Sequence, residues 1–333
     1  MINEKRIFIA GHRGLVGSAI LRRLRASGCS QVITRTRNEL DLTNQAAVNL
    51  FFEKERPELV FLAAARVGGI LANNIYRADF IRDNLLIQTN VIDAAFRSRV
   101  ERLVFLGSSC IYPKHAPQPI KEEYLLTGPL EPTNEPYAIA KIAGLKMCQA
   151  FGAQYGFDCI SIMPTNLYGP RDDFDLQSSH VLAALIRKFH EARVKGYGQV
   201  EIWGTGQPRR EFLYVDDLAD ACIFLAERRA EALDAAAPDR VFNVGVGDDL
   251  EIRELAALIQ EVVETKCELV FDTSKPDGTP RKLLDVSRMK ALGWTAQTPL
   301  SEGIRKTYEW FVNNESRYTQ PDELQGSQEN RFR

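Results

Sequence analysis

Nothing in this sequence supplies an excess of charge. Its 42 basic residues face 44 acidic ones and no block of one sign stands out, which excludes an electrostatic grip on nucleic acid. Paired cysteines are missing too. The six, at Cys29, Cys110, Cys148, Cys159, Cys222 and Cys267, form no Cys-x-x-Cys and no cluster with the four histidines. That argues against a structural zinc or other metal and for reduced thiols. No apolar run reaches the length of a membrane span. The start, Met1 to Arg6, is charged and leads into a short apolar segment, too brief for a signal-peptide core. A soluble, cytoplasmic protein with no membrane partner is the expectation. Internal repeats and low-complexity tracts are absent as well. At 333 residues the chain can bury one large core or two modest ones.

What is present begins with Ile7-Phe8-Ile9-Ala10, an apolar run the size of a buried parallel strand. Gly11, His12, Arg13, Gly14, Leu15, Val16 and Gly17 follow, then Ser18 to Leu24 with helical periodicity. Strand, spaced glycines and helix make the setting in which backbone N–H groups approach a pyrophosphate at a helix N-terminus. A second strand, residues 31–34, ends at Arg35-Thr36-Arg37. An acid there suits the adenosine ribose hydroxyls of NAD(H), whereas arginine suits a 2′-phosphate. Arg35 and Arg37, with Arg13 in the glycine loop, indicate NADP(H); the alternative for each alone is a solvated surface arginine. Asp41 and Leu42 follow, where an adenine ring would lie. Residues 59–62 read as a third strand running into Ala63, Ala64 and Ala65, small enough to admit a flat ring or to pack the glycine loop. Residues 73–97 read as one long helix and 103–106 as a fourth strand. Residues 157–163 are the next strand, delivering Pro164, Thr165, Asn166 and Leu167 to the same sheet edge. This alternation predicts an α/β fold, a Rossmann-type doubly wound parallel sheet.

Two stretches carry chemistry. Asn134 can cap a helix on which Tyr137 and Lys141, four apart, share a face. A phenol is a poor acid at neutral pH, and a nearby ammonium together with the helix N-terminus would favour its phenolate. The fourth strand ends at Leu106 and Gly107, followed by Ser108, Ser109 and Cys110, where ligands of open α/β sheets bind. A hydroxyl there can bond a substrate carbonyl and a thiol can act as base or nucleophile. Turn chemistry for the serines and an inert buried thiol for Cys110 are the alternatives.

Together, Gly11-x-x-Gly14-x-x-Gly17, Ser108 and Tyr137-x-x-x-Lys141 resemble the extended short-chain dehydrogenase/reductases that act on nucleotide sugars. The stretches 11–20, 65–70, 106–113, 130–141, 163–170 and 275–285 narrow the likeness to the 3,5-epimerase–4-reductases of GDP-4-keto-6-deoxy-D-mannose, over residues 5–313. The resemblance implies conversion of that GDP-sugar to GDP-L-fucose with NADP(H) as cofactor. It assigns proton transfer at C3 and C5 to Cys110 and His180, and protonation of the reduced oxygen to Tyr137, helped by Ser108 and Lys141. Leu106, Gly107, Ser108, Tyr137, Lys141 and His180 would also border the cofactor. A GDP group needs cations and a flat surface, and the resemblance points to Lys188, Trp203, Arg210, Asp277 and Lys282, with Asn166, Ser108, Ser109 and Cys110 near the sugar. Lys188 stands where the family often carries arginine, which puts that contact in doubt. The sequence does not say whether Arg209 or Arg210 turns inward. His115 and His190 read as surface or packing residues.

The implied organisation is a Rossmann-type nucleotide domain over residues 1–170, to which a later segment returns. A smaller α/β C-terminal substrate domain follows over 171–313, then a polar tail over 314–333. In the second half, 241–245 and 267–271 read as short strands flanking a helix at 251–263, and a helix at 300–312 closes the fold. A homodimer pairing the helices at 74–97 and 135–155 is the family expectation. Two alternatives remain: a 4-epimerase or 4,6-dehydratase of the same family, disfavoured by Arg35, Arg37 and Cys110-Ile111; and a non-catalytic NADP(H)-binding regulator, disfavoured by the intact Ser108, Tyr137 and Lys141.

Overall fold

The computed structural model describes residues 2–176, 179–275 and 277–319. Its centre is a six-stranded parallel sheet. Strands β1 (Ile7–Ala10), β2 (Val32–Thr34), β3 (Leu59–Leu62), β4 (Arg102–Leu106) and β5 (Cys159–Pro164) are joined by Val241–Val244, in the order Val241–Val244, β5, β4, β3, β1, β2. The strands are continuous apolar runs because both faces are covered: every residue of β1, β3 and β5 is buried. Phe8, Val60 and Phe105 point to one face, against helices α2 (Gln45–Glu55), Arg77–Arg97 and Glu135–Tyr155. Ile7, Ile9, Phe61, Val104 and Ile160 point to the other, against α1 (Leu15–Ala26) and Val215–Glu227.

The chain runs from β1 outward to β2 and then returns to β3 on the other flank of β1. That reversal opens a crevice at the carboxyl ends of β1 and β3, the place where open α/β sheets bind nucleotides. A further core of Phe174, Leu185, Phe189, Ile259 and Phe311 lies outside the sheet. Around it, Gln199–Trp203 pairs in parallel with Glu268–Asp272. Arg209–Arg210 lies between Leu250–Glu251 and Arg281–Lys282 in a small three-stranded sheet.

Two expectations change, and a third gains a sheet assignment. The long helix of 73–97 is two helices, Ile70–Ile75 and Arg77–Arg97, broken at Tyr76. There Asn73 folds back, its Nδ2 donating to the carbonyls of Gly68 and Gly69. The two short strands flanking Ile252–Val263 belong to different sheets: Val241–Val244 extends the central sheet, and Glu268–Asp272 pairs outside it. The polar tail is not wholly outside the fold. Ser316–Thr319 is a helical turn, and Tyr318 stacks 5.9 Å from Phe311 and donates to the Asp172 carbonyl at 3.2 Å. One aromatic residue in a polar stretch suffices to dock it; residues 320–333 lie outside the described residues.

Candidate active site

The glycine loop is shaped by close backbone approach. Gly11 has φ +87°, and a Cβ there would sit 2.8 Å from the Ala64 backbone. A Cβ on Gly17 would lie 2.2 Å from the Gly11 carbonyl oxygen. Ala63 and Ala64 therefore do pack the glycine loop, with Ala63 N donating to the Ala10 carbonyl. Gly14 is the N-cap of α1, with no side-chain cap and no acidic residue in the first turn. The leading N–H groups of Leu15 and Val16 are thus left for an anion, and the cradle fits a dinucleotide pyrophosphate. Arg35 is engaged elsewhere: it donates to Glu55 at 2.7 Å and to the Thr34 carbonyl, and stacks on Phe51. Arg13 and Arg37 are exposed. His12, in the same loop, has its pKa lowered by burial and by Arg13. Asp41 accepts from both the amide and hydroxyl of Thr43, fixing the turn that presents half-buried Leu42.

Beyond β4 the chain turns at Gly107, where a Cβ would strike the Met163 side chain at 2.4 Å. Ser108 is extended, accepts from the Cys110 amide at 3.2 Å, and hydrogen-bonds the Tyr137 phenol. Cys110 is half-buried in a short 3-10 turn, whereas Ser109 is buried and closed off from solvent. Tyr137 and Lys141 lie on helix Glu135–Tyr155 as the spacing predicts. Asn134 does hold the N-cap position, yet its side chain makes no cap bond; Pro136 starts the helix instead. Lys141 is buried, its Nζ donating to the Leu106 carbonyl at 2.7 Å and standing 6.0 Å from the Tyr137 ring centre. Burial lowers its pKa to about 8.

The expected shift towards the phenolate is reversed. Burial and the neighbouring Cys110 push the Tyr137 pKa well up, and only the Ser108 bond opposes them. Tyr137 is held as a neutral proton donor. His180 is the N-cap of helix Val181–Lys195, but its imidazole does not cap the helix. His180 is exposed to solvent, yet its ring is closely surrounded by protein atoms. Its pKa is lowered by that burial and by Lys282, and raised by Asp173.

The cations gather on the other side. Lys188 donates to the Glu201 carbonyl at 2.8 Å and lies 5.4 Å from the Trp203 ring centre. Trp203 is 55% exposed, a surface ring flanked by Lys188 and Lys275 rather than a core residue. Asp277 accepts from the Thr205 amide and hydroxyl beside it, and acts electrostatically on Arg210. Strand alternation separates Arg209 from Arg210. Arg209 and Arg281 are both bound by buried Asp249, at 2.7 and 2.5 Å. Arg210 and Lys282, their neighbours in register, therefore lie on the opposite face. There Lys282 Nζ donates to Cys110 Sγ at 3.7 Å.

Thr165 is buried at the end of β5, tied to Val244, and Asn166 Nδ2 donates to the Glu211 carbonyl at 2.8 Å. Pro164 closes β5, and Leu167 packs half-buried against the core. Sequence reasoning missed Glu211. Its fully buried carboxylate accepts from the amides of Val246, Gly247 and Leu284, joining three segments beneath the site. The available signal was a lone acid ahead of the apolar run Phe212-Leu213-Tyr214-Val215. Asp249 was missed as well, and carried no signal beyond being an acid in a loop.

A parallel sheet with a glycine cradle at its crevice, and a Ser108–Tyr137–Lys141 set beside it, defines a nicotinamide-nucleotide oxidoreductase site. The chain belongs to the NAD dependent epimerase/dehydratase family, whose model matches residues 7–245. It is 59% identical over 310 residues to probable GDP-L-fucose synthase 1 of Oryza sativa subsp. japonica, covering 93% of this chain and 92% of that one. To the GDP-L-fucose synthase of Escherichia coli (strain K12) it is 54% identical over 319 residues, covering 95% and 99%. Among solved structures it is similar to MlghC, a GDP-mannoheptose C4 reductase from Campylobacter jejuni with NADP bound. That match has TM-score 0.84 and 41% identity, and covers 94% and 99% of the two chains.

Proposed function

We propose that this chain converts GDP-4-keto-6-deoxy-D-mannose to GDP-L-fucose by inversion at C3 and C5 followed by NADPH-dependent reduction at C4. The observation that carries the reading is that Cys110 acts on Tyr137 of a complete Ser108–Tyr137–Lys141 set, and that Lys282, in contact with Cys110, also acts on His180. A reductase that only delivers hydride has no use for that second acid–base pair. The high identity to the two synthases supports the same reading over a 4-epimerase or 4,6-dehydratase.

The 4-keto group acidifies the protons on C3 and C5, because the resulting carbanions delocalise onto the carbonyl oxygen. Cys110 takes the proton from one face and His180 returns one from the other. Bound NADPH supplies the hydride for C4. Tyr137, kept neutral by burial, gives its proton to the C4 oxygen, while the Ser108 hydroxyl bonds the same oxygen. Lys141 fixes the turn after β4 through the Leu106 carbonyl and provides positive charge near the phenol. The 2′-phosphate falls to Arg13 and Arg37, the guanine nucleotide to Lys188, Trp203, Asp277 and Arg210. The reading includes a nucleotide domain of residues 1–170 with Val241–Val244 added, a substrate domain over most of 171–313, a homodimer and a cytoplasmic location. No helix among the described residues is long and apolar enough to cross a membrane.

The test is incubation with GDP-4-keto-6-deoxy-D-mannose and NADPH, following cofactor absorbance and the product by NMR. Oxidation of NADPH with appearance of the fucose configuration is expected; no oxidation removes the reading. In heavy water, Cys110→Ser abolishes exchange at C3 and C5. Tyr137→Phe spares exchange and slows reduction about 10²-fold or more. Equal loss of exchange in both variants contradicts the division of roles.

A further inference from the structure

The ammonium of Lys282 touches the sulfur of Cys110, and the small sheet that carries it is built to hold it there. Arg281–Lys282 pairs in parallel with Arg209–Arg210, residue for residue. On one face Asp249 binds both guanidiniums, Arg209 and Arg281, and is itself almost fully shielded, its side chain 2% exposed. On the opposite face Lys282 contacts Cys110, and Asp277 acts on Arg210. Cys110 also acts on Tyr137, and Asp173 and Lys282 both act on His180. Lys282 is the cation in hydrogen-bond contact with the Cys110 thiol.

We infer that Lys282 is a catalytic residue of the epimerisation steps, donating to Cys110 Sγ and setting its positive charge against that sulfur as it removes the C3 and C5 protons. This goes further than a diphosphate contact and rests on the reading of Cys110 as the base. A thiol is a weak base until it ionises, and an ammonium within about 4–6 Å of a developing anion favours the charged form. When the carbon-bound proton moves to Sγ, its electron pair passes into the enolate and the ammonium stays charged. The next round needs that proton to leave the sulfur again, and Lys282 favours its departure. The arrangement also separates the two chemistries of the site. Lys141 stands beside Tyr137 and Lys282 beside Cys110, so each lysine adjoins a different acid–base group.

The test uses the full chain without substrate, so that it reads Cys110 whatever the sugar proves to be. In a Cys267→Ser background the remaining cysteines other than Cys110 are buried. Iodoacetamide alkylation of Cys110, located by peptide mapping, is followed across pH. Lys282→Met is expected to slow alkylation about tenfold at pH 7, with the rates converging near pH 10 where the thiol is ionised in either protein. Lys282→Arg is expected to keep the original profile, and Lys282→Gln, polar but uncharged, to follow Lys282→Met and serve if that variant misfolds. C3 and C5 exchange in heavy water falls in step with alkylation. An unchanged alkylation profile with weakened GDP binding overturns the inference and leaves Lys282 a phosphate ligand. A loss equal at every pH also overturns it, because that reports access to the sulfur and not its charge. Failure of the wild-type protein to turn over the keto-sugar would remove the proposed function while leaving the alkylation result intact.

Discussion

Replacing Asp249 with asparagine probes how the cleft cations are held. In the native chain this shielded carboxylate binds Arg209 at 2.7 Å and Arg281 at 2.5 Å, and Arg209 also donates to the Asp249 carbonyl. Hydrogen bonds to a charged group contribute about 1.5–3 kcal/mol each. The guanidiniums are 37% and 46% exposed and regain water on release, and asparagine retains one acceptor oxygen, so the two bonds cannot be counted in full. A net loss of about 2 kcal/mol follows. With an unfolding entropy of roughly 2.1 cal/mol/K per residue, that lowers Tm by about 3 °C. Burial pushes the Asp249 pKa up, but the bonds from Arg281 and Arg209 more than offset it and leave the pKa below the usual carboxylate value. A depressed folded pKa gives stability that is present above the unfolded value and lost as pH falls through the folded one. The wild-type advantage in urea unfolding is therefore constant from about pH 8 to 5 and closes below about pH 4. Because Arg210 and Lys282 share the same strands, KM for the GDP-sugar rises and C3/C5 exchange slows together. A variant with unchanged urea midpoint, or an advantage already closing at pH 6, would refute the clamp.

Arg37→Ala is expected to raise KM for NADPH about tenfold with little change for NADH, as loss of one charged hydrogen bond predicts. Arg35→Ala, whose guanidinium serves Glu55, is expected to leave the cofactor preference in place; steady-state kinetics with both cofactors separates them. Asp173 raises the His180 pKa against burial, so Asp173→Asn lets it fall further. Less imidazolium is then available at neutral pH, and the falling limb of the C3/C5 exchange profile moves to lower pH; a move to higher pH contradicts the assignment. Trp203→Ala removes an exposed surface ring and is expected to raise KM for the GDP-sugar about 3- to 10-fold with kcat unchanged, as loss of one aromatic stacking contact implies.

The sequence was most informative where spacing alone sets geometry. Tyr137 and Lys141 share a helical face because any residues four apart do, and the glycines at 11, 14 and 17 lie where backbone must meet backbone. It was least informative where a distant residue decides. Arg35 looks like a phosphate ligand until Glu55, twenty positions on, claims it. Strand alternation guarantees that Arg209 and Arg210 face apart, but only Asp249, forty positions away, says which one is withdrawn from the cleft. The ionisation of Tyr137 misled for a related reason. Neighbouring charge is legible in the sequence, whereas the depth of burial that outweighs it depends on packing across the whole sheet. Val241–Val244 was recognisable as a strand, but its place beside β5 was not, since 76 residues separate it from Pro164.

That placement has a consequence for the chain as it is made. Until Val241–Val244 leaves the ribosome, β5 is an edge strand, and it is a fully buried apolar one in the finished protein. A nascent chain halted near residue 170 would offer unpaired amides and carbonyls along Cys159–Pro164, a template for pairing with another unfinished copy. Cutting the gene at the apparent end of the nucleotide domain would therefore produce a sticky fragment. A fragment intended to fold alone has to carry Val241–Val244 with it, by fusion or by permutation.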